Sequence, residues 1–277
     1  MIHAGGIGDF ILTTPAIAAF SADWRIELVG AIPRLDLVLE AGIVEVICSN
    51  AHAGMDSLYS EPNAAARDCF GGADKVVALL RDPEGQMARA MCEIGVGEFA
   101  AIPGLPPQDY AKHASQYYWE ALGLEGEAPP PRLALPVVKA GWDVLVHPGS
   151  GSLSKNWPME RFEVVAQVLE ARGRSVTWLA GPAEIERGIA PLGAVAVESL
   201  VELGGKLAGA RVYIGNDSGI THLAAAVGCP VVAVFGPTDP AVWGPRGEHV
   251  RVVSGQPWPD VEAVVEAAVS LPFGRVS

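Results

Sequence analysis

The chain has 277 residues, half of them hydrophobic and 18% charged, enough to bury the cores of two ordinary domains and too apolar for a disordered polymer. The net charge is −13, and residues 1–135 hold 8 Lys and Arg against 18 Asp and Glu. That field argues against nucleic acid as a partner, and against adsorption of the first half to an anionic membrane.

The N-terminus, "MIHAGGIGDF", lacks the basic and long apolar regions of a signal peptide. The longest apolar run, Leu223–Phe235, is broken by Gly228 and Pro230, so no segment reads as a membrane span. Cys48, Cys69, Cys92 and Cys229 show no metal-ligand spacing and read as reduced thiols of a cytoplasmic protein.

In chain order, a glycine loop, "HAGGIGD", leads into helical sequence expected to break at Pro15. Strands are predicted over Arg25–Ala31, Val44–Cys48 and Ala73–Leu80, with helices over Leu35–Ala41, Pro83–Gly95 and Asp109–Leu124. "EGEAPPPRLALP", Glu125 to Pro136, carries three successive prolines and reads as an interdomain linker. The alternation then repeats. Strand-then-loop units are predicted at "WDVLVHPGSG", "RSVTWLAGPAE", "RVYIGNDSG" and "PVVAVFGPTDP", with a short strand at "AVAVE". Helices are predicted over Met159–Gly173, Leu200–Ala210, Ile220–Gly228 and Pro259–Phe273. Strands alternating with helices predict parallel sheets covered on both faces. The fold expected is α/β, with two doubly wound domains, 1–128 and 129–277, facing across a cleft. Ligands of such sheets sit at the carboxyl ends of strands.

The polar clusters fall at those ends. In "NDSGITH" a helix begins at a glycine. Its free N–H groups and partial positive charge suit phosphate, with Ser218 as a further donor and Gly219 allowing close approach. Asp217 would repel a phosphate, so it is read as a helix cap or as the partner that orients a donor. His222 lies about one turn on from Gly219 and can reach the same ligand. An ordinary capped helix with an interior histidine explains this heptapeptide equally well. "HPGSGSLSKNWP" can wrap an anion in the backbone amides around Ser150 and Gly151, with Lys155 as a mobile cation; a flexible surface loop is the alternative. In "AGGIGDF", Asp9 is either an N-cap or a general base facing the cleft. Glu184 in "AGPAE" is either a ribose acceptor or a solvated loop carboxylate, and Trp157 reads as a packing anchor.

Taken together, "GGIGDFILTTPAI", "HPGSGSLSKNWPMERF" and "IGNDSGITHLAAAVGCPVVAVFGPTDP" resemble glycosyltransferase family 9, the ADP-heptose:lipopolysaccharide heptosyltransferases. The resemblance implies a GT-B architecture of two Rossmann-like domains. The first would bind the acceptor and the second the nucleotide-sugar donor, ADP-heptose, as co-substrate, with no cofactor or metal. Transfer would invert the anomeric carbon. It implies Asp9 as the base. Ser150, Gly151, Lys155, Asp217, Ser218, Gly219 and His222 would lie around the donor diphosphate, with Glu184 toward the nucleoside. It also implies a glycan or glycolipid acceptor, such as lipopolysaccharide core, met at the inner face of the cytoplasmic membrane. The chain departs from the family in having only Met1, Ile2 and His3 before the glycine loop, in its short length and in its acidic first half. These departures keep two other readings open: a transferase with another donor and a non-lipid acceptor, and a nucleotide-sugar-binding protein without turnover.

Overall fold

The computed structural model describes residues 1–138 and 141–271. The N-terminal half runs β1 (Ile2–His3), α1 (Ile7–Ser21), β2 (Glu27–Gly30), α2 (Ile32–Glu40), β3 (Val46–Ser49), α3 (Ala64–Phe70), β4 (Lys75–Leu79), α4 (Gln86–Ile94), β5 (Glu98–Ile102) and α5 (Ala114–Ala121). The C-terminal half runs β6 (Val144–His147), α6 (Met159–Ala171), β7 (Val176–Ala180), α7 (Pro182–Glu186), β8 (Val195–Ala196), α8 (Leu200–Ala208), β9 (Val212–Asn216), α9 (Gly219–Ala226), β10 (Val231–Phe235), α10 (Pro240–Trp243), β11 (Val250–Ser254) and α11 (Val261–Ser270).

Two sheets form, ordered β3-β2-β1-β4-β5 and β8-β7-β6-β9-β10-β11. Every strand pair in them is parallel. Both orders reverse direction beside the first strand of the half, which is the Rossmann-like topology, and ligands of such sheets bind at that reversal. In the second sheet it lies between β6 and β9, so the loops after His147 and after Asn216 flank it.

Each sheet has an outer helical layer. Phe70 of α3 and Met87 and Met91 of α4 pack on the first sheet. Phe162 and Val165 of α6 and Val264 and Val265 of α11 pack on the second. Between the sheets lies one shared core. Phe10, Ile11 and Ile17 of α1 and Leu35 and Val38 of α2 join Leu200, Leu203 and Leu207 of α8 and Ile220 and Leu223 of α9. The halves face each other as expected, and their facing helices are in direct contact, α1 on α9 and α2 on α8.

Several expectations need correction. Helix α1 does not break at Pro15 but runs through it. Proline cannot donate to the Ile11 carbonyl four residues back, and the Thr14 hydroxyl donates to that carbonyl instead, at 2.7 Å. The helix expected over Asp109–Leu124 shrinks to Ala114–Ala121, and the loop after β7 contains the short helix α7. Strands β5 and β11 and helix α3 were not predicted. The tail helix ends at Ser270, and the expected residues 272–273 lie outside the described residues.

The proline-rich connection is docked along α8 and α9. The Leu133 N–H donates to the Ala226 carbonyl and the Val138 N–H to the Gly205 carbonyl, both at 2.9 Å, and Leu133 and Leu135 are buried. Glycines inside a helix cost about 1 kcal/mol each relative to alanine. In α8 they make room for this strap: a Cβ on Gly204 would lie 2.3 Å from Leu135 Cδ1, and one on Gly205 2.4 Å from the Pro136 carbonyl oxygen. No helix among the described residues is long and apolar enough to cross a membrane.

Candidate active site

The loops after β6 and β9 are tied together by a residue to which the sequence reading gave no role of its own. Asn216 is fully buried; its Nδ2 donates to the Pro148 carbonyl at 2.6 Å and its Oδ1 accepts from the Trp157 N–H at 2.9 Å. Trp157 is the buried packing anchor anticipated, edge-on to Phe162. Within the first loop the Ser150 hydroxyl lies 2.7 Å from the Ser152 carbonyl and 2.6 Å from Asn156 Oδ1, which folds the backbone into a tight turn. Gly151 is exposed, with open space where a side chain would be.

Glu184 lies beneath this loop. It is buried, so the solvated-carboxylate alternative fails. Its Oε2 accepts from the Gly181 N–H at 2.8 Å and stands 3.5 Å from His147 Nε2. Burial would raise its pKa, but the hydrogen bond and charge of His147, with the Gly181 N–H, hold it below the usual carboxylate range. A Cβ on Gly149 would fall 2.1 Å from Glu184 Oε1, so only glycine lets the loop rest on this carboxylate. His147 Nδ1 is buried without a hydrogen-bond partner among the described residues.

Lys155 crosses to the second loop, where its Nζ lies 2.7 Å from Asp217 Oδ2. The Thr238 hydroxyl, from the loop after β10, donates to the same oxygen at 2.7 Å. Asp217 therefore orients a donor, one of the two roles foreseen for it. The cap of α9 is Ser218, whose hydroxyl accepts from the Thr221 N–H at 3.3 Å. His222 is packed in the interior at 6% exposure. Burial lowers its pKa to about 4, against the pull of Asp217 and with help from His113 and Lys155, so its imidazole is neutral.

Asp9 arrives from the other half. It is not the N-cap of α1 but the third helical residue, and its Oδ2 accepts back from the Gly6 N–H at 3.0 Å. The two helix N-termini abut: a Cβ on Gly219 would lie 2.9 Å from the Gly8 nitrogen, and one on Gly8 would lie 3.1 Å from His222 Cδ2. Burial raises the pKa of Asp9. The Gly6 N–H, the Tyr118 hydroxyl and the charges of Lys155 and Arg34 pull it the other way. The N-terminal carboxylate and the lysine of the C-terminal half are thus close enough to feel each other.

Two further residues surround Asp9. Arg34 donates through Nη1 to the Gly5 carbonyl, which fixes the loop that carries Asp9. Tyr118 of α5 is fully buried, and its hydroxyl donates to the Gly104 carbonyl at 3.1 Å while lying beside the Asp9 carboxylate. Helix α5 is itself held to the C-terminal half. His113 Nε2 lies 2.7 Å from the Gly244 carbonyl, and Arg246 donates to Ser115 Oγ at 3.0 Å and to the Ala128 carbonyl at 2.7 Å. No sequence motif marks Tyr118, and Arg34 stood in the sequence as one of several dispersed basic residues. Among the described residues no group of three or more His, Cys, Asp or Glu is placed to hold a metal ion.

Known proteins share both the signature and the fold. Residues 134–268 match the model of glycosyltransferase family 9 (heptosyltransferase). Lipopolysaccharide heptosyltransferase 3 of Escherichia coli K12 is 34% identical over 118 residues, which is 39% of this chain and 34% of that protein; the matched stretch thus spans about a third of the curated relative. Among solved structures, the family 9 glycosyl transferase of Veillonella parvula superposes with a TM-score of 0.74 at 19% identity, covering 97% of this chain and 95% of that one. The E. coli ADP-heptose lps heptosyltransferase II superposes with a TM-score of 0.76 at 15% identity, covering 97% and 96%. At these identities the structures establish the fold, the GT-B arrangement of two Rossmann-like halves. The chain thus carries the signature of glycosyltransferase family 9 (heptosyltransferase) over residues 134–268, just under half of its length, and shares the fold of these solved structures from end to end.

Proposed function

We propose that this protein is an inverting glycosyltransferase that moves a heptosyl unit from ADP-heptose to a hydroxyl of a glycolipid acceptor such as lipopolysaccharide core. The observation that carries this reading is the abutment of the Asp9-bearing N-terminus of α1 on the N-terminus of α9, which brings Asp9 within electrostatic reach of Lys155 although the groups lie far apart along the chain. Residues 1–128 serve as the acceptor domain and residues 129–277 as the donor domain. The names of the relatives supply the sugar and the nucleotide of this proposal.

In the reaction, the acceptor hydroxyl gives its proton to Asp9 as its oxygen bonds to the anomeric carbon. On the opposite face the bond from that carbon to the diphosphate oxygen breaks. A carboxylate made more basic by burial suits the first task. Lys155, released from Asp217, and the N–H groups at Gly219 meet the charge growing on the leaving diphosphate, with no metal ion needed for that step. Because that charge is largest in the transition state, the contacts accelerate transfer rather than only tightening binding. Ser150 and Gly151 wrap the diphosphate, Ser218 and His222 border it, and Glu184 lies toward the nucleoside. The site works in the cytoplasm, at the inner membrane surface where a lipid-linked acceptor is presented.

A second reading, transfer from another donor or to a non-lipid acceptor, is favoured by one feature. Residues 1–135, which contain the acceptor domain, carry an excess of ten acidic charges, an unfavourable field for a phosphorylated lipid. Binding of the nucleotide sugar without turnover is the third outcome. One experiment separates them: ADP release from ADP-heptose, with and without lipopolysaccharide core acceptor, in the wild type and in Asp9→Asn. The proposal expects acceptor-dependent release that Asp9→Asn abolishes while donor affinity is kept. Equal release by Asp9→Asn would refute the assignment of the base.

A further inference from the structure

The first sheet reverses between β1 and β4, so its own ligand position lies beside the loop that carries Asp9. Two arginines stand at that edge. Arg34 is in the first turn of α2, just after β2, and Arg81 is in the loop just after β4. Elsewhere in this half Arg67, Lys75 and Lys112 are neutralised by Glu93, Glu98 and Glu120. Arg34 and Arg81 form no ion pair among the described residues.

Arg34 is a fork with one arm in use. Its Nη1 donates to the Gly5 carbonyl. Its Nε is buried without a hydrogen-bond partner, and its Nη2 makes no hydrogen bond among the described residues. The Nε–Nη2 edge of a guanidinium is a side that takes a carboxylate or phosphate through two parallel bonds. Asp9 is near enough to feel the charge of Arg34 but does not pair with it, and accepts from the Gly6 N–H instead. The ring of His3 lies against Gly5, and it offers no counter-ion because burial and the Arg34 charge keep it neutral. Arg81 is exposed and makes no hydrogen bond among the described residues. The adjacent Asp82 is taken up by α4, where it accepts from the Met87 and Ala88 N–H groups at 3.2 and 2.9 Å. The charge of Arg81 reaches Tyr117, whose neighbour Tyr118 lies beside Asp9.

We propose that these arginines form an anion subsite for the acceptor: the molecule whose hydroxyl meets Asp9 carries a carboxylate or a phosphate monoester, which seats on the Nε–Nη2 edge of Arg34 with Arg81 as the second cation. This rests on the reading of Asp9 as the base and of the first half as the acceptor side. It makes Arg34 a specificity-determining residue, selecting acceptors by a charge close to the attacked hydroxyl.

NMR titration with four probes tests this: methyl glucuronoside and its uncharged methyl ester, and mannose 6-phosphate and mannose. The two pairs separate a carboxylate from a phosphate. A chain of net charge −13 repels anions in general, so a preference for a charged probe requires a local site. At least one charged probe should bind the wild type roughly tenfold more tightly than its neutral partner. Arg34→Gln should abolish that preference, and Arg34→Lys, which keeps a positive charge but has no such edge, should lose most of it. Arg81→Gln, at an exposed site where folding is not at stake, should weaken it, and all three should keep their affinity for ADP-heptose. Equal binding within both pairs by the wild type would overturn the proposal. So would a preference that survives Arg34→Gln combined with Arg81→Gln. An arginine-dependent preference in a protein that releases no ADP from ADP-heptose would uphold the anion subsite and defeat the transferase reading alone.

Discussion

Replacing Gly219 by alanine sets two effects of known size against each other. Gly219 opens α9 and its φ is not in the left-handed region, so an L side chain fits its backbone. Alanine then gains at most about 1 kcal/mol of helix propensity, less at a first-turn position. Against this, the new methyl would sit 2.6 Å from Ile7 Cβ and 2.9 Å from the Gly8 nitrogen. Ordinary contact begins at 3.4 Å, so α1 and α9 would have to part by roughly 0.8 Å, and one of the opposing atoms is backbone that cannot rotate away. Overpacking of this kind costs about 1–3 kcal/mol. The clash should win by about 1–2 kcal/mol, a fall in thermal midpoint of about 2–4 °C for a chain of this size. Gly8→Ala is the control. Its methyl meets the edge of the His222 ring at 3.1 Å and the Gly219 Cα at 3.6 Å, and a slight tilt of the imidazole relieves it. Its midpoint should stay within about 1 °C of the wild type. Calorimetry of both variants decides the matter. A Gly219→Ala protein as stable as the wild type, or a Gly8→Ala protein that is the worse of the two, would refute the close approach of the helices.

Lys155→Ala leaves the buried Asp217 carboxylate with Thr238 as its remaining side-chain donor. Because the Lys155 side chain is a third exposed, the cost should be about 2 kcal/mol rather than the 3–5 of a fully buried pair. Adding Asp217→Asn should recover part of it in urea unfolding, whereas strictly additive losses would contradict the pair. Burial lowers the pKa of His3 and of His222 to about 4, so their contribution to stability is complete above pH 6.5 and is lost as pH falls toward 4. Thermal midpoints should drop over that window. His222→Gln should flatten the drop, and an unchanged profile would show that His222 is not buried as a neutral ring. The Asp9 shift runs the other way, so its unfavourable contribution is full above its raised pKa, shrinks as pH falls through it and is gone below the ordinary aspartate value. Tyr118→Phe removes the hydroxyl that favours the ionised Asp9, and should raise the Asp9 titration midpoint further when followed by carboxyl ¹³C NMR. No movement would mean that the hydroxyl serves Gly104 alone.

Most of the parallel strands were legible because strands buried on both faces read as short apolar runs, as in "VLVH" and "VVAVF". The loops at their carboxyl ends were legible because glycine, serine and aspartate are needed where backbone must turn sharply or cap a helix. Strands β5 and β11 escaped because they are half-exposed sheet edges with no continuous apolar run. The passage of α1 through Pro15 escaped because its remedy is a single hydroxyl on the preceding residue. Within the candidate site, Lys155, Asp217 and Gly219 stood out by spacing, but the contacts that hold them do not follow from spacing. Asn216 reaches a carbonyl 68 residues away. Tyr118 reaches Asp9 because α5 packs on α1 through Leu12 and Ala114 and is tied at Gly244 and Arg246, contacts that are long-range in the chain.

The shared core between the sheets bears on how this molecule can be recombined. Cutting at the three prolines would strip Leu200, Leu203, Ile220 and Leu223 from Phe10, Ile11, Leu35 and Val38, leaving each fragment with an oily face open to water. A chimera that grafts a different N-terminal half onto this C-terminal half must keep α1 and α2 matched to α8 and α9. Exchanges between related chains should therefore spare that helical layer and be easiest through the outer helices and the loops of the first sheet.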